Sequence, residues 1–472
     1  MFNHKKALRE IEFLSEQEAK IYTWNSMELV VPPTVYPPRE DTNLLHDIVA
    51  DIAPFGAKKL LEIGCGSGAI SIAAAKIGWS VDACDINPYA VAATRNNATR
   101  HNVVLQVSES GLGPQDEQIP EFGWHHDLYD VVLWNMPYIP HSEVNENLLG
   151  PLEEASLIDT HPTGLLEVFA RLMSSGKLCT WNGIALLVCR EVVHWKRSVD
   201  VLRQQGLAAR IVRTLTFEDR ESIHVIAAWH PFVTGKHHKF KEIDSTNAEL
   251  LRGAYASGDS LVAVEQTQGR GRHGNAWQDH PGSFKASWLL DQSHLMSTTP
   301  YVQLEMAQQI RNALCLKRDQ TNRILTKWPN DLLLRTSVHE KWRKFGGILF
   351  QSFSRGDEQR IVVGIGINTS MKGLQKGQGS LEEIGIQSKH SDLFAVLSAV
   401  VASMFEHKHD ALKRIGHGSI ANEYLLRDCF YRGKTCTLQK VGERDIELLS
   451  DGEETYRVGD DEEIIWTNLH PQ

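Results

Sequence analysis

The sequence predicts an α/β protein in three parts: a parallel sheet clad by helices, an α+β region after it, and a small β-rich end. Three observations predict this. Up to about residue 230, short apolar runs alternate with helical patterns, as strand–helix–strand crossovers require. A break follows at residues 230–238, where Pro231, Gly235 and the polar His237-His238-Lys239 interrupt the apolar pattern. From about Tyr431 the pattern shortens to brief strands punctuated by Gly442, Gly452 and Gly459.

The elements follow in chain order. Lys59 to Gly64 reads as a buried strand, and Ala69 to Ile77 as the helix after it. Val81 to Asp85, Asp130 to Trp134 and Gly183 to Val188 read as further strands. Their runs are apolar with little alternation, so both sheet faces should be covered, as in a parallel sheet. After the break, Phe284 to Leu290 and Gln359 to Asn368 read as strands, and Leu393 to Glu406 as a helix. The expected domains are residues 1–233, 234–425 and 426–472, the last at the size limit for independent folding.

Length allows roughly two to four domains. A hydrophobic content of 42% with 23% charged residues is that of a water-soluble globular protein. The longest mostly apolar segment, Leu393 to Phe405, falls short of the ~18 residues a membrane span needs, so no membrane partner is expected. Met1-Phe2-Asn3-His4-Lys5-Lys6 leads into acidic residues rather than an apolar core, so no secretory signal is expected. The cysteines number seven, an odd count, and none forms a Cys-x-x-Cys pair. Reduced, mostly buried thiols in a cytoplasmic setting are therefore expected, not disulfides or a zinc cage. The net charge of −10 sits in the first part: residues 1–233 hold 19 Lys+Arg against 29 Asp+Glu, and residues 234–472 hold 30 of each. Neither part has the basic excess of a polynucleotide binder, so nucleic acid is not an expected partner.

The first constellation starts at Glu62-Ile63-Gly64-Cys65-Gly66-Ser67-Gly68, a strand-to-helix turn where glycines allow close ligand approach. Asp85 ends the next strand, where a carboxylate can accept from both hydroxyls of a ribose. Gly64, Gly66 and Ala69 also satisfy the dinucleotide pattern G-x-G-x-x-G/A, so the glycines alone leave any adenosine cofactor open. Asn135-Met136-Pro137-Tyr138 decides between them, at the carboxyl edge where ligands bind open α/β sheets. The combination resembles class I, Rossmann-like S-adenosylmethionine-dependent methyltransferases acting on planar amide or amino nitrogens, whose usual motif is Asn-Pro-Pro-Tyr. Val35-Tyr36-Pro37-Pro38-Arg39-Glu40-Asp41-Thr42-Asn43-Leu44-Leu45 is similar to the segment preceding the fold in release-factor glutamine methyltransferases. The resemblance runs roughly from Pro32 to Trp229.

That resemblance implies S-adenosylmethionine held by Glu62, Gly64, Gly66, Gly68 and Asp85, and a methyl-acceptor site of Asn135, Met136, Pro137 and Tyr138. The Asn135 carbonyl and the backbone carbonyl of Met136 would accept the two N–H bonds of an amide and aim its nitrogen at the sulfonium methyl. Tyr138 would pack on the flat substrate. The implied acceptor is a glutamine of a release factor or other protein. Met136 departs from the family's proline: the carbonyl survives, the rigid ring does not. In Val107-Ser108-Glu109-Ser110, Glu109 is an inexact match to an acidic residue that contacts adenine in the family. Asp41 and Thr42 also suit plain helix capping, and Glu62 a structural carboxylate.

The second constellation centres on Glu265-Gln266-Thr267-Gln268-Gly269-Arg270-Gly271-Arg272-His273-Gly274, a polar loop after the apolar Leu261 to Val264. Glycine lets the backbone wrap a ligand, and arginine offers a fixed fork of donors to phosphate or carboxylate. Ile243-Asp244-Ser245-Thr246-Asn247 precedes it, and Lys327-Trp328-Pro329-Asn330-Asp331, Lys344-Phe345-Gly346-Gly347-Ile348-Leu349 and Gly364-Ile365-Gly366-Ile367-Asn368 follow in order. Together they resemble biotin protein ligases over residues 243–368. By itself, Ser245-Thr246-Asn247 reads first as a helix cap, and Gln266 with the Arg270/Arg272 loop turns the reading to a site.

The resemblance implies a site for biotin and ATP with Mg2+ formed by Ser245, Thr246, Asn247, Gln266, Gly269, Gly271, Trp277, Lys327, Asn330, Asp331, Gly347, Gly364, Gly366 and Asn368. Lys344, Arg270 and Arg272 would be catalytic, and no metal is expected from the protein alone. The implied product is a biotinylated lysine on a biotin carboxyl carrier domain, formed through biotinoyl-AMP. Gln351 stands where the family often has glutamate, and residues 334–343 are longer and more polar than its usual turn. Where bacterial ligases that double as repressors carry a winged helix, this chain carries the methyltransferase-like region, so no repressor role is expected. Three alternatives accompany the bifunctional reading: a ligase with a non-catalytic methyltransferase-like scaffold, which Met136 motivates; a fused methyltransferase of biotin synthesis; and a protein that sequesters biotin.

Overall fold

The computed structural model describes residues 18–52, 58–112, 128–137, 139–140, 158–159, 164–193, 196–218, 222–291, 293, 298–355, 358–413, 419–459 and 463–470. The chain divides into two compact units, Met1–His230 with His407–Ile415, and Pro231–Glu406 with Gly416–Gln472. In the first, Arg210 Nη1 donates to Leu412 O at 3.4 Å and Arg213 Nη1 to Ala411 O at 3.3 Å, fastening the late segment to its sheet.

The first unit opens on a hairpin, β1 (Lys20–Trp24) and β2 (Met27–Val31), followed by α1 (Glu40–Asp51). Then come β3 (Lys59–Ile63), α2 (Ala69–Lys76), β4 (Ser80–Asp85), α3 (Pro88–Arg100), β5 (Gln106–Glu109) and β6 (Tyr129–Asn135). After them run α4 (Leu165–Ser174), β7 (Cys179–Arg190), α5 (Ser198–Gln204), β8 (Ala208–Thr216) and β9 (Ser222–Trp229). The sheet order is β8-β9-β7-β6-β3-β4-β5. Strands β7, β6, β3, β4 and β5 are parallel, as the apolar runs predict. The hairpin β8–β9 adds an antiparallel edge that the sequence pattern did not reveal. Strand order reverses between β3 and β6, which opens a crevice at their carboxyl ends. There Ile63 pairs with Trp134, so the glycine turn and Asn135 become neighbours. Leu61, Ile63, Val132, Trp134, Phe169 and Leu187 form the core beneath.

The second unit contains β10 (His237–Ile243), α6 (Thr246–Arg252), β11 (Ser260–Gln266), β12 (Ser283–Leu290), α7 (Pro300–Leu314), β13 (Ile324–Lys327) and β14 (Asp331–Leu334). The long strands β15 (Arg343–Arg355) and β16 (Glu358–Asn368) and the helix α8 (His390–Phe405) complete its main layer pair. The sheet order is β10-β11-β12-β16-β15-β14-β13, antiparallel except for β10 and β11. Side chains alternate across it. Phe284, Ala286 and Trp288 of β12 enter the apolar core with α7 and α8. Lys285 and Ser287 between them face the other side, where Lys285 lines a cavity with the neighbouring strand's glycines and Ser287 bonds Asn247 of its wall.

Beyond α8 a five-stranded antiparallel sheet forms from β17 (Asp428–Tyr431), β18 (Lys434–Val441), β19 (Ile446–Ser450), β20 (Thr455–Val458) and β21 (Ile465–Trp466). Its core includes Leu304, Trp328, Leu333 and Trp342 of the preceding layer pair, which explains how so small a sheet is stabilised. All seven cysteines are buried and none forms a disulfide. Among the described residues, no helix is long and apolar enough to cross a membrane.

Candidate functional site

Each unit carries one constellation. In the first, Gly64, Gly66 and Gly68 adopt φ of 71°, 54° and 80°, the left-handed region that favours glycine. At Gly68, the N-cap of α2, a Cβ would also fall 2.8 Å from Thr94 Cγ2. Asp85 anchors this turn: its Oδ2 accepts from Gly66 N and its Oδ1 from Asn87 N, both at 2.9 Å. Burial pushes the Asp85 carboxyl above its ordinary range, against these backbone donors. Beside these and the Ile86 N–H, the carboxylate retains acceptor capacity for a ligand hydroxyl. Glu109 pairs in register with Asp85 and so reaches the same edge.

Glu62, on β3 just before the turn, is tied to α2. It is buried and accepts a hydrogen bond from Ser71 Oγ, and desolvation pushes its carboxyl up to about 8. The folded state therefore holds a proton that the unfolded chain releases near the ordinary value of 4.5. The Glu62 contribution to stability is complete below that value and is lost as pH rises toward about 8. Glu62→Gln should melt at the same temperature as the parent near pH 4 and above it at pH 8. Parallel melting curves at all pH values would contradict a protonated Glu62.

Asn135 ends β6. Its Nδ2 donates to Asp41 Oδ2 at 2.9 Å, while Asp41 Oδ1 accepts from Thr42 N at 2.7 Å. This pairing fixes which way the Asn135 amide faces, with its NH2 on Asp41 and its carbonyl away from that carboxylate. Asn135 Oδ1 is buried and has no hydrogen-bond partner, an acceptor awaiting a donor. Thr42 does cap α1, taking Arg39 N at 3.1 Å; Asp41 instead orients Asn135, a role the sequence did not disclose. Met136 is buried in the core and donates from its backbone N to Val188 O at 3.1 Å. Pro137 is half-buried, and Tyr138 lies outside the described residues.

In the second unit a cavity of about 570 Å³ opens on the polar face of the sheet. Glycine forms its floor because nothing larger fits. A Cβ at Gly364 would fall 2.2 Å from Asn247 Oδ1, and one at Gly366 would fall 2.6 Å from Trp277 Cζ2. Ser245 caps α6 by accepting from Ala248 N, and also lines the cavity. Thr246 donates from N at 2.7 Å and from Oγ1 at 3.0 Å to Gln266 Oε1. Ser287 Oγ lies 2.6 Å from Asn247 Oδ1, and Asn247 Nδ2 donates to Gln351 Oε1 at 2.9 Å. Ser245 is thus a helix cap, and all three residues of the tripeptide line the cavity.

Cations converge at the other end. Asp331, at the start of β14, receives Lys327 Nζ at 2.5 Å on one oxygen and Lys344 Nζ at 2.7 Å on the other. Burial opposes its charge, but the two ammonium groups outweigh burial and hold the carboxyl well below the ordinary range. Gly347 adjoins this corner, and a Cβ there would meet Asp331 Oδ1 and Lys344 Cε at an ordinary contact distance of 3.6 Å. Lys344 Nζ also stands 6.0 Å above the Trp277 ring, whose Nε1 is buried without a partner. Asn330 is fixed by donating to Ile348 O at 2.6 Å, and Asn368 by donating to Gly379 O at 3.1 Å.

The Gly-Arg-Gly-Arg loop folds back on itself, with Trp277 N donating to Gly269 O at 2.9 Å and Gly271 N to Asn275 O at 2.6 Å. Arg270 and Arg272 both line the cavity. Asp331 is the one carboxylate among the described lining residues, and both its oxygens already serve lysines. The site thus suits anions and does not offer a carboxylate free for magnesium. Sequence reasoning missed Lys285 and Asp279, which meet at 2.5 Å; a lysine inside the apolar run Phe284 to Leu290 was the available signal.

Residues 239–368 match the biotin/lipoate A/B protein ligase family, and residues 51–136 match ribosomal protein L11 methyltransferase. The bifunctional ligase/repressor BirA of Escherichia coli (strain K12) is 34% identical over 166 residues, covering 33% of this chain and 49% of that protein. A putative protein N5-glutamine methyltransferase of Methanocaldococcus jannaschii is 41% identical over 118 residues, covering 25% of this chain and 54% of that protein. The biotin protein ligase from Aquifex aeolicus in complex with biotin and ATP aligns at 24% identity and a TM-score of 0.38, over 48% of this chain and 97% of that one. The chain spans about half the length of the curated relatives it matches. A methyltransferase-like region is thus fused to a biotin-ligase-like one.

Proposed function

We propose that the chain is a bifunctional enzyme: a ligase that attaches biotin to a lysine of a biotin carboxyl carrier domain, joined to an S-adenosylmethionine-dependent methyltransferase of a protein glutamine. The observation that carries the ligase half is the pair of lysines held on Asp331 beside a glycine floor and a cationic loop. In the first step a biotin carboxylate oxygen attacks the α-phosphorus of ATP, the bond to the bridging oxygen breaks, and pyrophosphate leaves. Both reactants are anionic, so a fixed positive field lowers the barrier. Asp331 holds Lys344 and Lys327 in place, with Lys344 at the reacting oxygens. In the second step a carrier lysine attacks the acyl carbon, AMP leaves, and the amine proton passes to solvent. Arg270 and Arg272 on the loop hold the anhydride away from water until then. ATP would enter as its magnesium complex.

For the methyltransferase half, the methyl donor supplies an electrophilic methyl group. The glycine turn and Asp85 would hold its adenosine part, and the unpartnered Asn135 Oδ1 would accept an N–H of the acceptor amide. A release factor is the acceptor class we favour. Asn135→Ala should leave calorimetric affinity for S-adenosylmethionine within about twofold, since the residue faces the acceptor, and lower methyl transfer by ~10²-fold or more through lost orientation. Transfer at the parent rate would assign Asn135 a purely structural role. The proposal as a whole is tested by biotin-dependent ATP–pyrophosphate exchange and by transfer of labelled methyl to a purified release factor. Absence of exchange rules out the ligase half. Donor binding without transfer to any extract protein favours the scaffold alternative that Met136 motivates.

A further inference from the structure

We propose that Asp279 and Lys285 are positioning residues that clamp the two ends of the Gly-Arg-Gly-Arg loop and thereby retain the acyl-adenylate; this rests on the ligase reading above. The loop leaves the sheet at Gln266, the end of β11, and its return leg reaches Asp279 just before β12. Both ends meet at one carboxylate. Asp279 Oδ2 accepts from Gln266 N at 2.6 Å, and Asp279 Oδ1 accepts from Lys285 Nζ at 2.5 Å and from Ser283 Oγ. Lys285 Nζ donates again to Val264 O at 2.6 Å, reaching the departing strand from the floor strand.

Lys285 is 2% exposed, so this is a buried ion pair. Such pairs lose much of their attraction to desolvation, and apolar side chains of similar volume often serve stability as well. The bonds of this pair go to the departing strand, the return leg and the floor strand, which points to geometry as its role. Geometry matters here for a second reason. Gln266, whose backbone N–H is held by Asp279, presents its side-chain carbonyl to Thr246 in the cavity wall. The loop tip, by contrast, is exposed at Arg270 and from His273 to Ala276. The clamp therefore fixes the stem and leaves the tip able to open for a carrier lysine.

The test uses the full chain with biotin, magnesium-ATP and pyrophosphate, and bovine serum albumin as a bystander source of lysines. Exchange of pyrophosphate reads adenylate formation; biotin on albumin reads adenylate that escapes. The double variant Asp279→Ser/Lys285→Leu removes both charges together and leaves no buried ion alone. Albumin labelling per unit of exchange should rise about tenfold in this variant, as expected of a loosened lid. Should it melt below the assay temperature, Lys285→Met, which keeps two donors on Asp279, carries the same comparison with a smaller rise. A merely structural pair would lower labelling and exchange together, and an unchanged ratio overturns the proposal. Lack of biotin-dependent exchange by the unmodified chain overturns the ligase reading instead.

Discussion

Lys344→Ala is expected to lower biotin-dependent ATP–pyrophosphate exchange by at least ~10²–10³-fold, about 3–4 kcal/mol of barrier. Lys344 is the partly exposed member of the charged triad: its side chain is 26% exposed, against 12% for Lys327. That exposure lets its ammonium group leave one side on Asp331 and turn the other to a ligand in the cavity. The fold should survive the change, because Asp331 keeps Lys327 and loses one of two counter-charges. Circular dichroism and melting temperature close to the parent, together with lost exchange, are the expected pair of results. Exchange at near the parent rate would remove Lys344 from the chemistry.

Asp331→Ala should have the larger effect on stability. It strands two ammonium groups beside one another in a poorly solvated corner, and breaking a buried charge pair in this way costs about 3–5 kcal/mol. For a unit of this size that corresponds to a fall of roughly 6–20 °C in melting temperature. The effect carries a pH signature. The Asp331 carboxyl is held below its ordinary range, so its contribution is present above the unfolded value of about 3.9 and lost as pH falls further. The gap between parent and variant should thus hold from pH 8 to pH 5 and close in stronger acid. A gap that persists unchanged at pH 2 would mean that the loss is one of packing, not of charge.

By itself the sequence determined the local requirements. Gly64, Gly66 and Gly68 announce a left-handed turn because other residues are strained there, and the structure places all three at positive φ. The apolar runs of β3, β4 and β6 announce strands covered on both faces, and the break near residue 231 falls where the two units part. Gly364 and Gly366 stand in the sequence as ligand-site candidates, and Asn247 and Trp277 approach them closely. Each of these follows from backbone geometry or from pleat periodicity, which a few consecutive residues set. Only the tertiary structure decided which charged and polar groups meet. Asp41 reaches Asn135 across 94 residues of chain and fixes the direction of its amide. Asp331 is spoken for by two lysines rather than free for a metal, and Asp279 finds Lys285 and Gln266 at the base of a loop. The segment containing Ala411 and Leu412 joins the first unit although the chain around it builds the second. Hydrogen bonds and ion pairs act over distances of a few ångströms through space, so their partners are set by how the strands are ordered in the sheet, which no short stretch of sequence encodes.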